Sequence, residues 1–119
     1  MVVASANFVP LSDGEVDRIF RALADTTRRD IIRRTLAAPV NVSHLAADYN
    51  MSFAAVQKHV AVLEGAGLVM KRKQGRERLV QANPHTLQRV RDLLNSYEEI
   101  WHARVSRLDS FLAEEPTTG

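Results

Sequence analysis

The stretch from Val42 to Ala82 constrains the fold most, because two short helical patterns stand there on either side of a sharp turn. Asn50 lies between the patterns, and asparagine tolerates the left-handed backbone that can end a helix and redirect the chain. Ser52 follows, and its hydroxyl can cap a second helix by accepting a bond from an early backbone N–H. The apolar residues that recur every three or four positions are Leu45, Ala46 and Tyr49 in the first pattern and Val56, Val60 and Leu63 in the second. This spacing predicts a helix-turn-helix.

A short basic hairpin is predicted directly after the second helix. Gly65 and Gly67 are expected to end that helix, and extended patterns then run from Leu68 to Lys73 and from Glu77 to Gln81. Gly75 lies at the tip between them, because glycine supplies a positive φ at no steric cost. A two-stranded hairpin after the second helix is the wing of a winged helix. The predicted fold class is therefore mainly α with a small β-hairpin wing.

Two further helices are predicted before the helix-turn-helix. Ser12 fits a capping box with the glutamate three residues later, and Asp25 is a second candidate for an N-cap. Pro39 ends the second of these helices because it cannot continue the hydrogen bonding. Residues 40–42 are predicted to pair as a third strand against the wing, and Ser43 to cap the first helix of the helix-turn-helix. The apolar stripe of the first helix consists of Val16, Ile19, Phe20 and Leu23, and the expected inward positions of the second are Ile31, Ile32 and Leu36.

The last predicted helix is too long for a domain of this size to cover. It begins at Pro84 with Asn83 as its cap, and its apolar stripe continues for about seven turns. The far half, from Tyr97 to Leu112, is expected to seek an apolar surface on a second copy of the chain, with the first helix beside it. The alternative is that this half folds back onto its own core. The predicted homodimer interface consists of Val16, Ile19, Phe20, Tyr97, Trp101, Val105, Leu108 and Leu112.

Composition indicates an ordinary globular protein of one domain. The 119 residues are 45% apolar and 25% charged, and the winged domain is expected to span 12–112, between a flexible arm at 1–11 and a flexible tail at 113–119. No cysteine is present, which excludes disulfides and thiolate metal sites. The sequence has neither a signal-peptide pattern nor an apolar run of bilayer length, so we expect a cytoplasmic protein with no membrane partner.

The charge of the chain is unevenly distributed. The net charge is +2, yet residues 52–82 carry six lysines and arginines against two glutamates. From residue 83 onward, four arginines stand against six acidic residues. A basic middle and an acidic C-terminal part suit a protein that binds phosphate with one region only. The alternative is a solvated basic face without a partner.

The outward face of the second helix carries the side chains expected to contact double-stranded DNA. Gln57 can pair bidentately with adenine, and Lys58 is expected to contact a phosphate. Phe53 either packs on a thymine methyl group or staples its own helix. Arg72 and Arg78 are expected to be strand residues that pair across the hairpin. The predicted DNA-binding set is Ser52, Phe53, Ala54, Gln57, Lys58 and Ala61 on the helix, with Lys73 and Arg76 in the wing.

Other polar groups are interpreted as structural. Arg28 or Arg29 is expected to pair with Asp25 or Asp30 within one helical turn, with contact to DNA phosphate as the alternative. His59, on the second helix, is interpreted as a packing or hydrogen-bonding group.

Three stretches resemble the ArsR family of bacterial winged-helix repressors. They are LADTTRRDIIRRT at Leu23–Thr35, MSFAAVQKHVAVLEGAGLV at Met51–Val69, and GRERLVQANPHTL at Gly75–Leu87. The similarity covers about Val16 to Leu112, most of the chain. The resemblance implies a homodimer on a pseudo-palindromic operator, which usually represses its own gene or a neighbouring one. Two positions depart from the family pattern: Ala54, where relatives often carry proline, and Ala61, where they often carry a basic residue.

The resemblance also bears on metals. The founding members of the family bind metals through thiolates at positions matching Asn41 and Ser43, neither of which can replace a thiolate. A second type of site would use Glu98 or Glu99 with His102 on the last helix, but a full ligand set is not visible. The chain is therefore similar to the metal-independent branch, and we expect no cofactor. A metal-responsive repressor with such a histidine and carboxylate site remains the alternative within this class.

Two hypotheses from other classes were weighed against DNA binding. One is a winged helix used only for protein–protein assembly, although the exposed Gln57 and Lys58 beside a basic wing disfavour it. The other is an enzyme. The four histidines are scattered over separate predicted elements, and the sequence has no glycine-rich phosphate loop and no nucleophile with a base at motif spacing, so we expect no catalysis. The sequence does not identify a small-molecule effector.

Overall fold

The computed structural model describes residues 10–113, and the statements below concern that part of the chain. In it, five helices accompany a three-stranded antiparallel sheet with the strand order β1-β3-β2. The elements in chain order are α1 (Asp13–Leu23), α2 (Thr26–Ala37), β1 (Val40–Asn41), α3 (Val42–Tyr49), α4 (Phe53–Gly65), β2 (Val69–Gln74), β3 (Glu77–Ala82) and α5 (Pro84–Ala113). The predicted fold class, a winged helix-turn-helix, is confirmed.

The first two helices begin at the residues that the sequence predicts. The Ser12 hydroxyl accepts from the backbone N–H of Glu15, and the Glu15 carboxylate accepts from the backbone N–H of Ser12, which completes a capping box. Asp25 caps α2 by accepting from the backbone N–H of Arg28 at 3.0 Å. Both caps satisfy N–H groups that have no partner inside their own helix.

The turn between α3 and α4 follows the prediction, but the start of α3 does not. Asn41, and not Ser43, is the N-cap of α3, because its side chain accepts from the backbone N–H of Ser43 at 2.7 Å. Asn50 ends α3 in the left-handed conformation, with φ of 54°. Ser52 then caps α4 by accepting from the backbone N–H of Ala55. The turn is thus fixed by the left-handed backbone of Asn50, whose N–H donates to the carbonyl of Ala47, and by the side-chain cap of Ser52.

The wing is a hairpin of β2 and β3, with the short β1 added on the other side of β3. Val40 pairs with Val80, which confirms the third strand, although Val42 belongs to α3. Gly67, with φ of 73°, leads from α4 into β2, and Gly75, with φ of 65°, lies in the tip. The pairing of Gln74 with Glu77 leaves only two residues in the tip, so the register of the whole hairpin is set there.

The core lies between α1, α2, α3, α4 and the inner face of the sheet. Its buried residues are Ile19, Ala22, Ile31, Ile32, Val42, Leu45, Val56, Val60, Leu63, Leu68, Val69, Val80 and Val90. Two expectations are corrected. Leu36 is 51% exposed, and the neighbouring Thr35 is buried instead, with its hydroxyl donating to the carbonyl of Ile31. Ile19 was predicted to lie in the dimer interface, but it is only 1% exposed and belongs to the core of the chain, so it is not available to a partner.

The last helix, α5, runs for 30 residues but packs on the core only near its start. Thr86 and Val90 are its buried residues, and Leu87 packs against the core cluster. The prediction that Pro84 is its first residue is confirmed, and the side chain of Asn83 accepts from the backbone N–H of His85. Leu11, placed in the predicted arm, also packs against the core. The rest of the predicted arm, 1–9, and most of the predicted tail, 114–119, lie outside the described residues.

Candidate DNA-binding surface

The recognition helix, α4, presents two different faces. Val56, Val60 and Leu63 are fully buried. The predicted contact residues Ser52, Phe53, Ala54, Lys58 and Ala61 are exposed, and Gln57 is half-buried. The structure therefore brings the six helix residues of the predicted set to one outward surface.

Two of these side chains have a second role inside the protein. The Ser52 hydroxyl oxygen accepts the capping bond from Ala55 at 3.1 Å, so its O–H remains to donate to a base or phosphate. Phe53 is half-exposed and stands at the first position of α4. An exposed aromatic ring at this position is free to meet a thymine methyl group, one of the two roles that the sequence left open.

A groove of about 400 Å³ separates the start of α4 from the wing. Gln57 and Phe53 form its helix side, and Arg76 and Arg78 form its wing side. Asn41, Val42, Ser43 and Glu77 complete the lining. The groove thus brings together Gln57 and Arg76, two residues of the predicted DNA-binding set, and its lining also includes Arg78, which is outside that set.

Arg72 and Arg78 are strand residues of the hairpin, as predicted, and the cross-strand register shows which residue each of them opposes. In the hairpin, Arg72 stands opposite Leu79, whereas Arg78 stands opposite Lys73. Opposite residues of an antiparallel pair project from the same face, so two cations meet there, and like charges in this position are destabilising. Among residues 10–113 neither of these two cations has a hydrogen-bond or ion-pair partner. Lys71, by contrast, has its Nζ 3.5 Å from a carboxylate oxygen of Glu64.

The inward side of α4 is tied to the corner between α1 and α2. The Arg28 guanidinium donates from Nε to the carbonyl of Ala22 at 2.8 Å and from Nη2 to the carbonyl of Arg21 at 3.0 Å. Its Nη1 lies 3.3 Å from Nδ1 of His59. The interpretation of His59 as a hydrogen-bonding group agrees with this contact.

Within residues 10–113, neither Arg28 nor Arg29 forms a side-chain salt bridge with an aspartate, although the charge of Arg28 contributes to the lowered pKa of Asp25. Arg29 donates to the carbonyl of Leu23 at 2.7 Å, while Asp30 instead accepts from Arg33 and from the Tyr49 hydroxyl. Both arginines therefore serve backbone carbonyls at the end of α1, where a helix leaves carbonyl groups unsatisfied.

Hydrogen bonds and burial shift the pKa values of several nearby groups. The backbone N–H of Arg28 holds the pKa of Asp25 below its ordinary value. The Tyr49 hydroxyl, followed by Arg33, lowers the pKa of Asp30, and burial is the main cause that raises the pKa of Tyr49. The guanidinium of Arg34 also binds Asp48 at 2.7 Å and lies 5.4 Å from the centre of the Tyr49 ring. These groups join α2 to α3 and lie apart from the groove.

The predicted dimer residues, other than Ile19, lie on partly or fully exposed surface. Val16 and Val105 are half-buried, whereas Phe20, Tyr97, Trp101, Leu108 and Leu112 are exposed. Leu94, Ile100 and Phe111 enlarge the exposed apolar surface of α5. Large apolar side chains concentrated in this way are characteristic of interaction surfaces.

Within residues 10–113, no group of three histidine and carboxylate side chains is close enough together to hold a metal ion. Glu98, Glu99 and His102 are all exposed on the outer half of α5. In the same described range, no helix is long and apolar enough to cross a membrane.

The fold and this surface define a winged helix-turn-helix DNA-binding protein. No family model matches the chain. The HTH-type transcriptional regulator Rv2034 of Mycobacterium tuberculosis is 41% identical over 81 residues, which cover 68% of this chain and 76% of that protein. The solved structure of an ArsR-like transcriptional regulator from Rhodococcus sp. RHA1 has 30% identity and a TM-score of 0.73, over 82% of this chain and 92% of that one.

A third comparison concerns the fold alone. The homodimeric winged helix-turn-helix DNA-binding domain of Mb0332 from Mycobacterium bovis matches with a TM-score of 0.59 and 19% identity, over 80% of this chain and 95% of that one. Together, the sequence and structural relatives show that the chain belongs to the ArsR family of winged helix-turn-helix transcriptional regulators.

Proposed function

We propose that the chain is a homodimeric repressor that binds a pseudo-palindromic operator in double-stranded DNA. The observation that carries this proposal is the groove that Gln57 lines together with the cations Arg76 and Arg78 of the wing. A side chain with paired donor and acceptor atoms can read a base edge, and flanking cations can hold the phosphates on either side.

Sequence reading is assigned to the first two turns of α4. Gln57 pairs with an adenine, Ser52 donates to a base or a phosphate, and Phe53 packs on a thymine methyl group. The small side chains of Ala54 and Ala61 leave space for the wall of the DNA major groove but carry no polar group. Lys58, Lys73, Arg76 and Arg78 supply the charge that binds phosphate without regard to sequence.

The homodimer is supported by the exposed apolar face of α5 together with Phe20 of α1. Trp101 and Tyr97 are each more than half exposed in the isolated chain, and aromatic residues of this kind are enriched at the centres of protein interfaces. The M. bovis relative, whose fold matches, is a homodimer. A twofold axis through this face would present two α4 helices to half-sites about 34 Å apart, one turn of DNA.

We assign the chain to the metal-independent branch of the family. Asn41 and Ser43 contain no sulfur, so neither position offers a thiolate, and the side chain of Asn41 instead accepts from the backbone N–H of Ser43. Regulation by metal would therefore need the exposed carboxylates and histidine of α5. Among residues 10–113, these side chains do not form a group of three or more that could hold a metal ion.

The test is selection of bound duplexes from random double-stranded DNA, with and without a chelator. We expect an enriched site with inverted symmetry and half-sites one turn apart, unchanged by the chelator. Binding should weaken steeply as salt rises, because counterions are released from the phosphates. Failure to enrich any sequence, at low salt and at a concentration where the protein is dimeric, would contradict the proposal. A chelator-dependent site would assign the protein to the metal-responsive alternative.

A further inference from the structure

Arg28 of α2 contacts His59 on the side of α4 that faces away from the predicted DNA contacts. Arg28 belongs to the first turn of α2, where its backbone N–H bonds to the cap residue Asp25. Its guanidinium then reaches two other helices, α1 through the carbonyls of Arg21 and Ala22 and α4 through His59. One side chain therefore joins three helices at a single point.

The chemistry of the two groups determines which atom donates and which accepts in this contact. A guanidinium has five N–H donors and no acceptor, so Nδ1 of His59 must accept the bond from Arg28. An imidazole whose Nδ1 accepts a hydrogen bond carries its N–H on Nε2. Asp25 Oδ2, which accepts from the backbone N–H of Arg28, lies 3.8 Å from the same Nδ1, beyond hydrogen-bond distance but within the reach of an ion pair.

The position of His59 on α4 gives this contact its consequence. His59 follows Gln57 by two residues, about 200° around a helix, so the two side chains point in nearly opposite directions. The buried Val56, Val60 and Leu63 already restrain the rotation of α4 about its axis, and a bond that holds His59 adds a directional restraint on it, and hence on the direction of Gln57. The Arg28 guanidinium is itself held by the carbonyls of Arg21 and Ala22 in α1, and α1 carries Phe20 of the proposed dimer face.

We propose that Arg28 and His59 are positioning residues that set the angle and spacing of the base-reading side chains relative to the dimer axis. This inference rests on the proposed function. Arg28 acts by joining the end of α1 to α4, and His59 acts by presenting an acceptor at Nδ1. Neither residue needs to touch DNA.

Three substitutions separate this role from general destabilisation. His59→Leu removes the acceptor. His59→Asn keeps an oxygen close to the place of Nδ1. Arg28→Lys keeps the charge but replaces three guanidinium nitrogens, each of which contacts a different acceptor, with a single ammonium nitrogen that cannot reach all three positions. Arg29→Lys is the matched control, because Arg29 bonds the end of α1 but is not bonded to α4.

The measurement is the ratio of operator affinity to random-duplex affinity, corrected for the folded fraction. We expect His59→Leu and Arg28→Lys to lower the ratio about tenfold, the cost of losing one hydrogen bond to a charged group. His59→Asn should stay within about threefold of the parent, and Arg29→Lys should leave the ratio unchanged. Affinity for random duplex should hold in all four, since the phosphate-binding cations remain.

Three results would overturn the inference. An unchanged ratio in His59→Leu would show that the contact does not orient α4. Equal losses in His59→Asn and His59→Leu would show that the ring acts through packing or through DNA itself. An equal fall of the affinity ratio in Arg28→Lys and Arg29→Lys would show that the ratio depends on the α1–α2 corner as a whole and not on the contact with α4.

A second measurement needs no DNA, so it is independent of the proposed function. Nitrogen NMR of the free protein near neutral pH should show His59 with Nδ1 unprotonated and Nε2 protonated. Amide hydrogen exchange in α4 should be faster in His59→Leu and Arg28→Lys than in His59→Asn. A proton on Nδ1, or equal exchange in all variants, would refute the contact even if the protein bound no duplex.

Discussion

The wing offers the sharpest test of the charge arrangement, because Lys73 and Arg78 oppose each other across the hairpin without a counter-charge in the described chain. In the free protein this pair should cost stability, whereas on DNA it should bind phosphate. Replacing either cation by glutamine should therefore move stability and DNA affinity in opposite directions. A purely structural pair would lower both.

The size of the DNA effect follows from counterion release. Each phosphate contact contributes about 0.9 to the slope of log affinity against log salt. A homodimer presents two wings, so Lys73→Gln or Arg78→Gln should reduce the slope by about 1.8. Between 50 and 200 mM salt, a fourfold change, the parent should therefore lose about 12-fold more affinity than either variant.

The stability of the protein without DNA should not fall in these variants, although their DNA affinity should. Removing one of two opposed like charges should leave the free energy of unfolding unchanged or raise it by up to about 1 kcal/mol, with the gain fading at high salt. The assays are fluorescence anisotropy on a fixed duplex over a salt series and urea unfolding of the protein alone. Both are run at a protein concentration that keeps the subunits associated.

Arg72→Gln is the matched control, since Arg72 lies on the same hairpin but opposite Leu79, on the other face. We expect a much smaller change in its salt slope. An equal fall of the slope in all three variants would show that the net charge of the wing, and not the opposed pair, governs binding. A loss of stability in Lys73→Gln or Arg78→Gln would refute the unpaired state of these cations.

Three further predictions concern base reading, assembly and acid stability. Gln57→Ala should cost about 1–3 kcal/mol on the selected operator but leave random-duplex binding unchanged, so an equal loss on both duplexes would argue against base reading. Trp101→Ala should raise the dimer dissociation constant at least about 30-fold by sedimentation, and a variant as tightly dimeric as the parent would displace Trp101 from the interface. Asp30→Asn should destabilise the protein at pH 7, where the carboxylate is charged and bound to Tyr49 and Arg33. Because its pKa is lowered from 3.8 in the folded state, this advantage should be lost as the pH falls below about 4, and a urea-unfolding difference that persists at pH 2 would contradict the assignment.

Features that depend on near neighbours in the chain could be predicted from the sequence. Asn50 and Ser52 shape the turn through bonds within three residues, and Ser12 and Asp25 start their helices in the same way. The exception, at Asn41, arose because two residues able to cap stand close together. The geometry of the chain entering from β1 favours Asn41.

The candidate site was predictable in part. Periodicity placed Gln57 and the other contact residues on the outward side of α4, because the buried Val56, Val60 and Leu63 define the opposite side. Strand alternation alone did not locate Arg78 beside the groove. Its position follows from the two-residue tip at Gly75, which aligns it with Lys73.

By itself, the sequence determined the order of the elements, their caps, the turn and the basic wing, since each depends on local backbone preference or on a repeating pattern. Only the tertiary structure decided which apolar residues are enclosed and which side chains meet across helices. Ile19 is enclosed and Leu36 is not, although both fit an apolar stripe. Arg28 reaches His59, 31 residues away in the chain. Such outcomes depend on how the helices pack in three dimensions, where contacts between distant segments compete for the same space.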